Sequence, residues 1–141
     1  MLTGSGTRSA RDIDITAGIA TSALPATSGE MRFILLARRV DGTNDYQGSV
    51  RILPSGAVRL EVRRSINGSE TTLGSSVTIS GLTASANSFL RVRMQVTGMN
   101  PAAINLRLWA DGSSEPTTWA VTRTDSSAML QQAGSVGLRT L

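Results

Sequence analysis

The feature of this chain that most limits its fold is a two-residue rhythm of apolar and polar side chains, clearest from Phe89 to Thr97. There Leu90, Val92, Met94 and Val96 alternate with Arg91, Arg93, Gln95 and Thr97. Successive side chains of an extended strand point to opposite faces, so this period sets one apolar face on a core and one polar face in solvent. Ala103 to Ala110 repeats the pattern, with Ile104, Leu106 and Leu108 inward and Asn105, Arg107 and Trp109 outward. Gly98, Asn100 and Pro101 between them supply the connection.

The same reasoning extends along the chain. Asp45 to Leu53 and Ala57 to Ser65 flank Pro54-Ser55-Gly56 and predict a hairpin, the second strand turning Val58, Leu60 and Val62 inward and Arg59, Glu61 and Arg63 outward. Asn67-Gly68 suits a type I′ turn into Glu70 to Leu73, which completes a three-stranded meander. Further strands are predicted at Ile13 to Ala20, Met31 to Val40, Val77 to Ile79, Thr118 to Arg123 and Ser135 to Arg139. The apolar run Phe33 to Ala37 points to a central strand covered on both sides. Asp125 to Gln131 predicts one or two helical turns with Asp125 or Ser126 as N-cap. With no long amphipathic helix in the pattern, the expected fold is all-β, an antiparallel two-sheet sandwich of the jelly-roll type. It forms a single domain over residues 10–141 after a small, polar lead-in of residues 1–9.

Composition narrows the chemistry. The 141 residues include no histidine and no cysteine, and all fourteen basic residues are arginine. The side chain best suited to proton transfer near neutrality is missing, as are thiolate nucleophiles and a lysine base for the many serines and threonines. Glycoside cleavage needs two acids held ~5 to 9.5 Å apart across a cleft, and Glu61 is the one acid on a clearly patterned strand face. A non-catalytic protein is expected. The arginines stand singly or in pairs despite a formal charge of +4, without the dense basic run of a phosphate-binding arm, which argues against nucleic acid. No window approaches the ~20 unbroken apolar residues of a membrane span, and Met1 to Ile15 lacks the apolar stretch of a secretory signal.

Further text carries a resemblance. Asp45-Tyr46 opens a strand, Leu90-Arg91-Val92-Arg93 ends at Val96-Thr97-Gly98, and Leu106-Arg107-Leu108-Trp109 precedes Glu115-Pro116-Thr117-Thr118-Trp119. Thr124-Asp125-Ser126 then leads to Gly134-Ser135-Val136-Gly137-Leu138. Over roughly residues 10 to 138 the chain resembles the concanavalin A-like, laminin G-like jelly rolls of actinobacterial secreted proteins and actinophage minor tail proteins. That resemblance implies two facing sheets, one of them concave, a surface able to hold glycan, in some relatives a calcium ion near the sheet edge, and no enzyme activity. Family members usually continue past the strand matched by Val136-Gly137-Leu138, so the resemblance implies either a closing strand from a neighbouring chain or segment, or a sequence that is a piece of a longer protein such as a modular virion component. The implied setting is a virion, with partner virion subunits or further copies of the chain as neighbours. The alternative is an accessory carbohydrate-binding domain of a secreted polysaccharide-degrading enzyme. The arginine-only basic set fits the GC-rich genomes of either source.

Candidate ligand contacts follow. Trp109 and Trp119 are flat faces on which sugar rings stack, or else two indoles packed against the Glu115-Pro116 loop. Tyr46, beside Asp41, Asn44 and Asp45, is a candidate for the rim of a glycan or calcium site, with Asp41 and Asp45 as weak calcium ligands, although Asp41-Gly42-Thr43-Asn44-Asp45 is equally a plain turn. Arg51, Arg59, Arg63, Arg91, Arg93 and Arg107 fall on outward faces. Lined up on one sheet they would offer forked donors to an acidic polysaccharide; paired across strands they are a solvated surface.

Overall fold

Alternating sequence becomes alternating burial: Leu90 to Thr97 and Ala102 to Ala110 both switch between buried and partly exposed residue by residue. The computed structural model describes residues 9–141, so the expected lead-in, apart from its last residue, lies outside the described residues. The strands are β1 (Ile13–Ile19), β2 (Met31–Asp41), β3 (Asn44–Ile52), β4 (Ala57–Ile66), β5 (Ser69–Thr72), β6 (Val77–Thr83), β7 (Leu90–Thr97), β8 (Ala102–Ala110), β9 (Val121–Asp125) and β10 (Ser135–Thr140). A single 3-10 turn, Ala128–Leu130, separates β9 from β10. No helix among the described residues is long and apolar enough to cross a membrane.

The strands form two antiparallel sheets. One runs β1-β7-β8-β9; the other runs β10-β2-β3-β4-β5, with β6 also paired to β4. The fold is an all-β, antiparallel two-sheet sandwich, as the alternation predicts. Its core is the shared seam of Ile15, Val92, Met94, Ile104, Leu106 and Val121 from the first sheet and Leu35, Val50, Leu60 and Val62 from the second. Burying such side chains contributes roughly 1.5–3 kcal/mol each before the entropy of ordering the chain is counted. Gly48 sets how closely the layers meet: a Cβ there would lie 2.6 Å from Leu106 Cδ2 and 2.9 Å from Met94 Sδ.

Most of the expected boundaries hold, including the β3–β4–β5 meander and the Asn67-Gly68 turn, whose φ values of 52° and 79° are those of a type I′ pair. Three expectations are corrected. The strand expected at Thr118 to Arg123 starts later, at Val121, where the ladder first places an apolar side chain opposite Leu106. The helical turns expected over Asp125 to Gln131 shrink to Ala128–Leu130, because Asp125 still belongs to β9 and its carboxylate accepts the Ser127 N–H. The strand expected at Val77 to Ile79 runs on to Thr83.

β2 lies between β10 and β3 and is covered on both sides, as its apolar run predicts. Leu35 and Ala37 face the core, whereas Ile34 and Leu36 are buried on the outer face, where Leu36 leans over Gly137 and an added Cβ would meet it at 3.2 Å. On the far side of β10, Ala10 alone among the described residues reaches across, exchanging both backbone hydrogen bonds with Gly134. Beyond that bridge Val136 and Leu138 are 38% and 51% exposed. Among the described residues the strand is therefore an edge with apolar side chains on show, where a closing strand was expected.

Candidate functional site

Register decides which outward side chains become neighbours. Across the first sheet Arg91 pairs with Trp109, Thr16 with Arg93 and Arg93 with Arg107, and Asp14 with Gln95 and Gln95 with Asn105. These rows share the outer face of the β1-β7-β8-β9 sheet. The loop after β8 folds back over the same face and delivers Glu115 and Trp119. Glu115 contacts Arg93 at 3.1 Å and Arg107 at 3.0 Å, and the Arg107 guanidinium lies 4.2 Å from the centre of the Trp119 ring. Arg93 also forks onto both oxygens of Asp14 at 2.7 Å, and Arg91 pairs with Asp111 at 2.9 Å. The Arg93 hydrogen bonds hold the Asp14 carboxyl below the usual carboxylate range against the opposing effect of burial. Five of the predicted contacts, Trp109, Trp119, Arg91, Arg93 and Arg107, thus converge on one surface, both indoles half-buried.

No family model matches the chain and no curated protein is detectably similar to it.

The other candidates are corrected. Tyr46 is no rim residue: it is 0% exposed, sits between the sheets, and donates its hydroxyl to Asp125 at 2.7 Å. Burial first, and then the bond to Asp125, push its phenol far above the ordinary value, so it stays neutral. Asp41 and Asp45 do not form a cation cage. The Asp41 carboxylate is filled by Thr43 N–H, the Thr43 hydroxyl and the Asn44 amide of its own turn, and Asp45 accepts from Gln47. No group of three or more potential ligands that could hold a metal ion occurs among the described residues.

The six outward arginines do not line one sheet. Arg51, Arg59 and Arg63 lie on the opposite face of the molecule, the outer surface of the six-stranded sheet. There Arg32, Glu30, Arg51, Glu61, Arg63, Glu70 and Arg139 form an unbroken chain of ion pairs between 2.6 and 3.5 Å. Arg51 holds Glu30, and Arg139 holds Glu70, below the usual carboxylate range. Glu61 is likewise not alone as an acid on a strand face, since Asp14 on β1 and Asp45 on β3 are also there.

Arg38 belongs to none of the residue patterns that mark a site in the sequence. Its side chain is 0% exposed, and its guanidinium donates to the backbone carbonyls of Arg11, Leu130 and Gly98. The residue has φ +45° at the irregularity where β2 loses register with β3. Nothing in the Arg38-Arg39 dipeptide distinguishes a buried clamp from a solvated pair.

Proposed function

We propose that the chain is a non-catalytic binding module whose ligand surface is the outer face of the β1-β7-β8-β9 sheet, and that its ligand is a polysaccharide or host-surface glycan. The observation that carries this reading is the gathering of Trp109 and Trp119 with Arg91, Arg93 and Arg107, from separate stretches of sequence, onto that one face. Indole faces suit the apolar side of a sugar ring, and guanidinium forks fixed by carboxylates present directed donors without having to be ordered on binding.

The resemblance to concanavalin A-like jelly rolls of actinophage minor tail proteins favours a virion setting, tail-associated or decorating the particle. The β10 edge, with Val136 and Leu138 exposed, adds a second contact surface for partner subunits or another copy of the chain. An accessory domain of a secreted polysaccharide-degrading enzyme would use the same sheet face.

An array of bacterial surface polysaccharides probed with the wild-type chain, Trp109→Ala and Trp119→Ala tests the reading, with circular dichroism as the fold control. Wild type is expected to be retained and Trp109→Ala to lose about tenfold or more in affinity while staying folded. Absence of wild-type binding across the array, or full binding by both folded variants, refutes it.

A further inference from the structure

Resting on the glycan-surface reading, we infer that the ligand is a neutral, hydroxyl-rich glycan and not an acidic one. Charge on the face points first in this direction. Arg91, Arg93 and Arg107 are matched by Asp111, Asp14 and Glu115, three cations against three anions, each held within 3.1 Å. An acidic sugar arriving there would displace a resident carboxylate or remain unpaired beside it, and either outcome is unfavourable.

The second observation is a polarity fixed by relay. Asp14 accepts the amide N–H of Gln95, which turns the Gln95 oxygen toward Asn105, and Asn105 donates its own amide N–H to that oxygen. Asn105 Oδ1 is left buried without a donor, and Arg107 Nε, one row away, is left buried without an acceptor. The polar atoms a ligand can reach on this face include the partly exposed carboxylates of Asp14, Asp111 and Glu115. A hydroxyl can donate to them, whereas a carboxylate or sulfate only accepts and sets its negative charge against theirs.

The division of labour between the indoles also follows. One face of Trp119 is taken by Arg107, so Trp119 holds the guanidinium in place. Trp109, paired in register with the exposed Arg91, is the stacking platform.

The experiment compares retention of the full chain on immobilised neutral polysaccharides (mannan, galactan, glucan), on hyaluronan and on dextran sulfate, at ~50 mM and ~500 mM NaCl, where screening lengths differ about threefold. The inference predicts retention on a neutral polysaccharide that changes by less than about twofold with salt and is lost in Trp109→Ala. It also predicts that Glu115→Gln, and independently Asp111→Asn, each leaving one cation unmatched, gain salt-sensitive retention on dextran sulfate. Retention of wild type on hyaluronan or dextran sulfate, released by salt and lost in Trp109→Ala, overturns the neutral assignment while the glycan-surface reading stands. Failure of wild type to bind any of the three classes overturns both, as does neutral binding that Trp109→Ala leaves intact.

Discussion

Tyr46 on β3 donates its hydroxyl to Asp125 at the end of β9, a 2.7 Å bond that ties the two sheets together through the interior. Arg64, the Cα partner of Tyr46 on β4, reaches the same carboxylate, and Ser127 closes its remaining valence. Burial works to raise the Asp125 carboxyl, but the hydrogen bonds from Tyr46, Ser127 and Arg64 outweigh it and hold it below the usual range. Tyr46→Phe is expected to cost about 1.5–3 kcal/mol, the worth of a hydrogen bond to a charged group. Asp125→Ala should cost more, about 3–5 kcal/mol, because Arg64 and Tyr46 both lose their acceptor. Urea denaturation of the three proteins ranks them, and an Asp125→Ala midpoint equal to wild type contradicts the assignment.

Arg38 gathers three segments at one end of the sandwich: the approach to β1, the loop after β7 and the 3-10 turn. Arg38→Met strips the donor from three backbone carbonyls, those of Arg11, Gly98 and the buried Leu130, and is expected to destabilise by more than about 3 kcal/mol. Arg38→Lys should recover only part of that, since an ammonium cannot reproduce a planar fork. Equal stability of the Lys variant and wild type would show that charge, not geometry, holds this site.

The carboxylates predict a pH profile with opposing members. Asp14, Glu30, Glu70 and Asp125 have native values below their unfolded ones. Their contribution to stability is complete above about pH 5 and is lost as pH falls through the carboxylate range and then through the depressed native values. Asp45 runs the other way: burial raises its carboxyl, with Gln47 offsetting only part, so ionising it on the way to neutrality weakens the fold. Asp45→Asn is expected to unfold at higher urea than wild type at pH 7. That advantage should vanish near pH ~3, where the carboxyl is protonated in folded and unfolded chains alike. An Asp45→Asn variant less stable than wild type at pH 7 would be contrary to this.

How much of this was legible beforehand depends on range. Strand positions and the inward set of β7 and β8 follow from a two-residue period, because each residue's face is decided locally. Sharing a face across strands is a matter of register, which is why Arg91, Arg93 and Arg107 could be named as outward residues while their separation from Arg51, Arg59 and Arg63 onto the opposite side could not. Tyr46 misled because a tyrosine beside acids in a turn suggests a rim, whereas its Asp125 partner lies 79 residues away. Arg38 was invisible for the same reason: the carbonyls it serves come from positions 11, 98 and 130.

The claim on which the functional account depends is that the β1-β7-β8-β9 face, and Trp109 in particular, is where a glycan lands. With only two tryptophans in the chain, the indole N–H signals of a nitrogen-15-labelled sample separate the possibilities directly. On titration with the polysaccharide retained best on the array, the account predicts that the Trp109 indole and the amides around Arg91, Arg93 and Arg107 shift together, while those of β2, β3 and β4 stay in place. Shifts confined to the six-stranded sheet, or an unmoved Trp109 signal at saturation, would contradict it.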